Sequence, residues 1–376
     1  MEEKGSNMRI NHITPLILLL LLTLAGCTGS NQDKEPSQAK AKQTVQTYEW
    51  KMVTTWPPNF PVFQEGVDKF AEDVRVMSDG RLKIKVFAGG ELVPPLQTFD
   101  AVSQGTVQLG HGAAYYWAGK IPAAQFFTSV PFGMNAQEMT SWIYGGGGLK
   151  LWQDLYSEYN LVPFPMGNTG VQMGGWFNKK INSLDDIKGL KMRIPGLGGK
   201  VFAKAGGTPV LLAGGEIYTA LDRGTVDATE WVGPFHDERL GLDRAAKYYY
   251  YPGWHEPGSE LELLVNGDAW KQLPDDLKKI VEITARATSI WMFAQFEAKN
   301  ASAYQELKNK QNVEILPFPD DVLRKLHHLS DEVYAEEAAK DPKFKKIYAA
   351  FKAYQEKSSS WNEISEVAYQ RALQLK

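Results

Sequence analysis

Apolar positions along the chain alternate between two rhythms. Tyr48–Thr55 reads as a strand, broken by Trp56-Pro57-Pro58. From Phe60 to Met77 the residues Phe63, Val67, Phe70, Ala71 and Val74 recur at helical spacing, and Asp79-Gly80 ends the run. Arg81–Phe87 alternates polar and apolar residues, the period of a strand. Leu96–Ser103 predicts a helix ending at Gly105, and Val107–Ala113 a buried strand. The order then recurs. Val171–Phe177, Leu190–Ile194, Pro209–Leu212 and a run from Val226 read as strands. Between them Ser183–Gly189, Lys200–Ala205 and Gly215–Asp222 read as helices. Such alternation predicts α/β architecture with a largely parallel sheet. Two phrases nearly match, Gln104-Gly105-Thr106-Val107-Gln108 and Arg223-Gly224-Thr225-Val226-Asp227. Helix–Gly–strand joins are common, yet the pair fits a chain of two similar lobes.

Asp268 to about Lys310 is one long helical pattern, with Pro274, Asp275 and Asp276 suited to a first turn. About 35 helical residues span about 50 Å, longer than one lobe, so this helix is expected to bridge two. Gln311–Phe318 reads as a strand, and Asp321–Asp331 and Phe344–Leu375 as further helices. Tyr248–Tyr251, four tyrosines in a row, suggests a hinge strand or a lobe surface.

The most apolar run is elsewhere. Ile13–Gly26 has 14 residues and ends in Leu24-Ala25-Gly26-Cys27. It is shorter than the ~20 residues of a membrane span and has the length of a signal-peptide core. A hydrophobic residue, two small residues and Cys form a bacterial lipoprotein processing pattern, with Cys27 as the lipidated residue. Arg9 supplies positive charge before the run, Glu2 and Glu3 oppose it, and Met8 offers a cleaner start than Met1. A polar stretch without periodicity follows and reads as a flexible tether to a body starting near Tyr48. Cys27 is the single cysteine, which excludes an intramolecular disulfide and argues against a thiolate zinc site. Net charge is -3, so no basic field points to nucleic acid.

Catalytic signatures are missing. There is no P-loop, no His-Glu-x-x-His and no Gly-x-Ser-x-Gly elbow; Pro257 ends any helix after His255-Glu256. Gly145–Gly148 reads as a loop, and His327-His328 as part of a surface helix. The pattern favours binding over catalysis.

Several local phrases resemble one family. Ser183-Leu184-Asp185-Asp186-Ile187-Lys188-Gly189-Leu190-Lys191-Met192-Arg193 resembles a phrase of extracytoplasmic solute-binding proteins. Leu221-Asp222-Arg223-Gly224-Thr225-Val226-Asp227-Ala228, followed by Glu230-Trp231, resembles the solute-binding subunits of tripartite ATP-independent periplasmic (TRAP) transporters, DctP type. Gly112-Ala113-Ala114-Tyr115-Tyr116-Trp117-Ala118-Gly119-Lys120 and Gly174-Gly175-Trp176-Phe177 look like its 2-oxo acid and lactate-binding branch. The resemblance runs from about Tyr48 to the end. It implies a two-lobed, type II-like periplasmic-binding-protein fold, with lobes joined by crossing strands and a long spanning helix and the ligand in the cleft. The lipoprotein pattern departs from the many family members that are simply secreted.

On that basis the chain divides into a signal peptide (1–26), a tether (27–47), lobe I (48–167, returning at about 255–270) and lobe II (168–254, with 311–340). The spanning helix takes 271–310 and a C-terminal helical segment 341–376; the latter could pack on its own chain or swap with a partner, leaving a homodimer open.

Arg193 ends a predicted strand before Pro195-Gly196, where strand ends open onto a cleft, and a guanidinium grips a carboxylate with two parallel hydrogen bonds. The resemblance places the carboxylate-binding Arg here. It also implies a cation bridging ligand and protein, with Gln172, Glu230, Glu256 and the Trp231 carbonyl as candidate ligands. Oxygen donors of this kind suit calcium or sodium. No organic cofactor is expected. Tyr115 and Tyr116 follow a strand end of small residues; adjacent residues face opposite ways, and the resemblance favours Tyr116. Trp56 and Asn59 are further cleft candidates, with core packing the equal alternative for Trp56. The expected function is a lipid-anchored receptor for a small 2-oxo or 2-hydroxy acid, serving small and large membrane subunits. A dicarboxylate or sugar-acid receptor without metal, a surface-anchored hydrolase and an adhesive lipoprotein are the alternatives.

Overall fold

The structure, a computed structural model, describes residues 46–375. The expected signal peptide, Cys27 and nearly all of the tether lie outside the described residues. Among the described residues no helix is long and apolar enough to cross a membrane.

The strands are β1 (Tyr48–Thr54), β2 (Leu82–Phe87), β3 (Leu109–Gly112), β4 (Leu161–Asn168), β5 (Gly175–Phe177) and β6 (Lys191–Arg193). They continue with β7 (Thr208–Val210), β8 (Ala228–Thr229), β9 (Tyr248–Tyr251), β10 (Glu260–Asn266) and β11 (Glu314–Pro317). They form two sheets, ordered β2-β1-β3-β10-β4 and β11-β9-β5-β8-β6-β7. With helices packed on both, the fold is α/β and two-lobed.

Each sheet is parallel except for one strand. In the first, β10 runs antiparallel to β3 and β4; in the second, β5 runs antiparallel to β8 and β9. Those two strands are the ones arriving from the other sheet, β5 from β4 and β10 from β9. The linking segments, 169–174 and 252–259, lie side by side and hydrogen-bond to each other. Thr169 N–H donates to the Ser259 carbonyl (3.0 Å), Gln172 N–H to that of Glu256 (3.1 Å) and Gly253 N–H to that of Gln172 (2.8 Å).

Most strands and helices that the periodicity predicts are present within a few residues, but the helix expected over Asp321–Asp331 continues to Lys340. A second correction concerns the long helix expected from Asp268, or 271, to 310. Gly267–Gln272 is a separate helix, capped by the Asn266 side chain on Ala269 N–H at 3.0 Å. Pro274 forces the preceding Leu273 into an extended conformation (ψ 140°), which breaks the run. The long helix is Asp275–Leu307, with Asp275 and Asp276 complementing its N-terminal dipole. Its early buried residues Leu277, Val281 and Ala285 join a core with Met52, Phe70 and Leu263 of the first sheet's lobe. Its later ones, Met292, Phe296 and Leu307, join a core with Trp176, Trp231 and Tyr249.

The C-terminal run breaks at Ser365 into Pro342–Ile364 and Glu366–Gln374. Phe344, Ile347 and Phe351 bury against Phe126 and Trp142 of the same chain. The four-tyrosine run is β9, an interior strand; Tyr249 stacks on Trp176 with ring centroids 4.1 Å apart. The polyglycine stretch is the turn between helices Ala136–Gly145 and Gly148–Ser157, with Gly147 at φ 87°. Gly105 (φ 76°) and Gly224 (φ 70°) each end a short helix before a strand, so the two similar phrases do the same local work.

Candidate functional site

Arg193 and Thr229 are register partners at the ends of the parallel strands β6 and β8. Arg193 and the next residue on β8's path, Glu230, therefore emerge together from the same edge of the second sheet, the edge where open α/β sheets bind ligands. The Arg193 guanidinium pairs through Nη1 with Glu230 Oε1. Its Nε donates to the Leu212 carbonyl at 3.2 Å, and its carbon lies 5.4 Å over the Trp231 ring.

The crossing segments add Gln172, His255 and Glu256. The first lobe adds Tyr115 and Tyr116, which sit in a tight turn (Ala114–Trp117) directly after β3. Tyr115 donates its hydroxyl to Glu256 Oε2 at 3.3 Å, and Ser259 donates to the same oxygen at 2.6 Å. Elements of both lobes thus meet in one buried polar cluster. Arg193, Glu230 and Glu256 are at most 2% exposed, so the lobes are closed over it.

Burial dominates the electrostatics. It pushes the Glu256 carboxyl up to about 7, and the Glu230 carboxylate nearby adds to the rise. It raises the Tyr115 phenol well above its ordinary value, with Glu256 next in effect. Burial works against the Arg193 charge as well, but Glu230 and the two tyrosines outweigh it and hold the guanidinium above its ordinary value. The Tyr116 phenol is raised by burial, with Arg193 beside it opposing the rise.

Several buried atoms of this cluster have no hydrogen-bond partner among the described residues: Arg193 Nη2, Glu230 Oε2, Gln172 Oε1 and both His255 ring nitrogens. Buried polar groups are rarely left so. A free guanidinium N–H suits an anionic oxygen. Free carboxylate and amide oxygens suit a hard cation, so these residues fit a calcium or sodium ion.

Not every expected residue reaches the cluster. Asn59 is exposed in a turn at φ 56°, where its short polar side chain tolerates the left-handed conformation, and it lines no buried site. Trp56 is both wall and core. Its Nε1–H donates to His111 Nδ1 at 2.6 Å, and its ring centroid lies 6.5 Å from those of Tyr116 and Trp231. The Trp231 indole is buried beneath Arg193. His255 was not among the expected residues; its one sequence signal is its place beside Glu256. A surface cavity of about 1100 Å³ between helices Ala136–Gly145 and Asp275–Leu307 includes none of the cluster.

A two-lobed body that closes on a buried guanidinium and a set of oxygen donors is a solute receptor. The family model of the bacterial extracellular solute-binding proteins, family 7 (DctP), matches residues 52–341, and the chain belongs to this family. It is 43% identical over 357 residues to a monocarboxylate 2-oxoacid-binding periplasmic protein of Nostoc sp., covering 95% of this chain and 96% of that one. It also resembles a TRAP periplasmic solute-binding protein of Colwellia psychrerythraea solved with calcium and pyruvate. That match has TM-score 0.85 and 44% identity, covering 87% of this chain and 100% of that one. A counterpart from Pseudoalteromonas atlantica, solved with sodium and pyruvate, has the same TM-score of 0.85 and 44% identity over 87% and 99% of the two chains. The protein is a periplasmic transport receptor, not an enzyme.

Proposed function

We propose that this receptor captures a 2-oxo or 2-hydroxy monocarboxylate such as pyruvate or lactate. Arg193 holds the carboxylate through its free Nη2. Gln172, Glu230, Glu256 and the Trp231 carbonyl hold a calcium or sodium ion that also meets the acid's second oxygen, and Tyr116 lies beside the guanidinium. The observation that carries this reading is the buried Arg193–Glu230 pair, with an unpartnered donor on one side and an unpartnered acceptor on the other. Two relatives solved with pyruvate and a cation support the same chemistry. The closed receptor hands its acid to the small and large membrane subunits of a TRAP transporter. A lipid on Cys27 tethers it to the membrane, a reading supported by the Leu24-Ala25-Gly26-Cys27 pattern.

The test is thermal unfolding of the purified protein with 2-oxo acids, 2-hydroxy acids, dicarboxylates and sugar acids, with and without calcium. A ligand at about 100 times its Kd adds roughly 2.7 kcal/mol. The expected result is stabilisation by pyruvate or lactate that requires the cation. Stabilisation by dicarboxylates or sugar acids alone, indifferent to cation, would overturn the bridged reading. For the tether, Cys27→Ser is expected to move the protein from the membrane to the soluble fraction; unchanged fractionation would refute the anchor.

A further inference from the structure

We infer that Asp237 is a positioning residue: by accepting the Val232 N–H it turns the Trp231 carbonyl, the other end of the same peptide, toward the bound acid's cation. The inference rests on the calcium or sodium reading above and adds to it a residue that acts from behind the site.

Asp237 lies in the first turn of helix Pro234–Leu240 and is 1% exposed. Three donors converge on its carboxylate. Oδ2 accepts from Trp176 Nε1 of β5 at 3.0 Å and from the Tyr249 hydroxyl of β9 at 2.7 Å. Oδ1 accepts from the Val232 N–H at 3.0 Å. Such convergence suits an ionised carboxylate, which only accepts. The first two bonds tie the helix to the sheet. The third reaches the short segment between Glu230 and the helix, and there it does more than hold the fold.

A trans peptide is planar, with its N–H and C=O on opposite sides. Fixing the Val232 N–H on Asp237 therefore aims the Trp231 carbonyl away from Asp237. Among the described residues no backbone N–H donates to that carbonyl. The carbonyls on either side of it are occupied. That of Glu230 accepts from the Thr229 hydroxyl at 2.9 Å, and that of Val232 from the Met173 N–H at 2.9 Å. The Trp231 carbonyl is thus flanked by two other candidate ligands, Glu230 before it in the chain and Gln172 next to the Met173 contact. Partners that orient a metal's ligands without touching the metal are worth roughly tenfold to a hundredfold in affinity.

The test uses a feature of the sequence: Trp followed by Val occurs once in the chain, at 231–232. Protein isotope-labelled at tryptophan carbonyls and valine nitrogens therefore gives a single nuclear magnetic resonance signal for this peptide. The signal reads the carbonyl and the amide separately. In the wild type, calcium with pyruvate is expected to shift the carbonyl carbon. Asp237→Ala is expected to move the amide proton upfield before calcium is added, and to weaken calcium binding roughly tenfold or more by calorimetry. Tyr249→Phe is the control. It takes a donor from the same carboxylate but leaves the Val232 bond, so it should melt lower yet bind calcium like the wild type. Where Asp237→Ala fails to fold, Asp237→Leu combined with Tyr249→Phe leaves fewer buried donors unpaired and should show the same loss. Unchanged calcium affinity in a folded Asp237 variant overturns the positioning role. An equal loss in Tyr249→Phe alone overturns it too, because general packing would then account for both. A wild-type carbonyl that does not respond while calcium binds removes Trp231 from the ligands and Asp237's role with it. Pyruvate binding with no uptake of any cation overturns the bridged reading itself.

Discussion

Arg193 and Glu230 neutralise each other inside the closed lobes, 1% and 0% exposed, from the ends of neighbouring parallel strands. That relationship sets how the arginine has to be tested. Arg193→Ala removes the carboxylate grip but also leaves Glu230 buried without a counter-charge, at a cost of about 3–5 kcal/mol. Arg193→Met combined with Glu230→Gln removes both charges at similar volume, which is often close to neutral for stability. The double variant is expected to unfold near the wild-type temperature and to show no pyruvate binding by calorimetry. Wild-type affinity in the folded double variant would remove Arg193 from the site.

A second contact holds the lobes together away from the acid. His236, in helix Pro234–Leu240 after β8, donates Nε2–H to the Pro61 carbonyl after β1 at 3.0 Å. Phe60, Phe63 and Phe296 surround its ring with centroids 4.7–5.4 Å away. Next to Pro61, Val62 sits at φ 64°, a conformation that costs a β-branched residue about 1–3 kcal/mol. His236→Phe keeps the ring and loses the cross-lobe hydrogen bond, worth ~1 kcal/mol. Pyruvate affinity is expected to fall about fivefold, with small-angle scattering showing more of an open form. Burial lowers the His236 pKa to about 3, so the ring stays neutral and this effect should not vary between pH 5 and 8. A loss of affinity that appears only in mild acid would contradict it.

Gly253 marks where the two crossing segments touch. A Cβ there would press on the backbone carbonyl of Gln172, a group that cannot swing away as a side-chain end would. Gly253→Ala is expected to cost about 1–3 kcal/mol and to weaken cation binding, because it displaces the residue carrying the Gln172 amide. Gly215→Ala is the control, since nothing lies within 4 Å of a Cβ there. Equal melting temperatures and calcium titrations for the two variants would show that the segments give way freely.

Much of this arrangement is legible in the residues, and the rest is hidden for physical reasons. The strands that carry Arg193 and Glu230 show in the alternation, and both residues fall at strand ends. β4 does not show, because Pro163 and Pro165 lie inside it. They are tolerated because β4 is an edge strand, paired only with β10. β10 opens with an alternating Glu260-Leu261-Glu262-Leu263, the pattern of a half-exposed strand, which hides that it is buried at every position. The break at Leu273-Pro274 is visible only once proline's effect on the preceding residue outweighs the helical period. Asn59 and His255 went opposite ways for one reason. Whether a loop residue faces solvent or the cleft depends on contacts with other segments, for His255 those with Glu230 and Gly198, which local pattern does not encode.

The two glutamates of β10 make the protein pH-sensitive in a defined direction. Glu262 accepts from Trp117 Nε1 and from the Tyr156 hydroxyl at 2.9 Å. Glu260 accepts from Asn168 at 3.1 Å and Ser289 at 3.3 Å. Among the described residues neither has a cation paired with it, and burial pushes both carboxyls from 4.5 to about 8. Between those values the folded protein holds a proton that the unfolded chain has released. Stability from each group is therefore complete below about pH 4.5 and is lost as pH rises through about 8, at roughly 1.4 kcal/mol per pH unit. Melting temperature measured from pH 5 to 9 should carry this downward slope and level off beyond pH 8. Glu262→Gln, which keeps an acceptor for Trp117 and Tyr156, should remove one group's share, so that the variant gains on the wild type as pH rises. Parallel profiles for the two proteins would mean that Glu262 is ionised in the fold and that the hydrogen bonds from Trp117 and Tyr156 suffice to hold its charge.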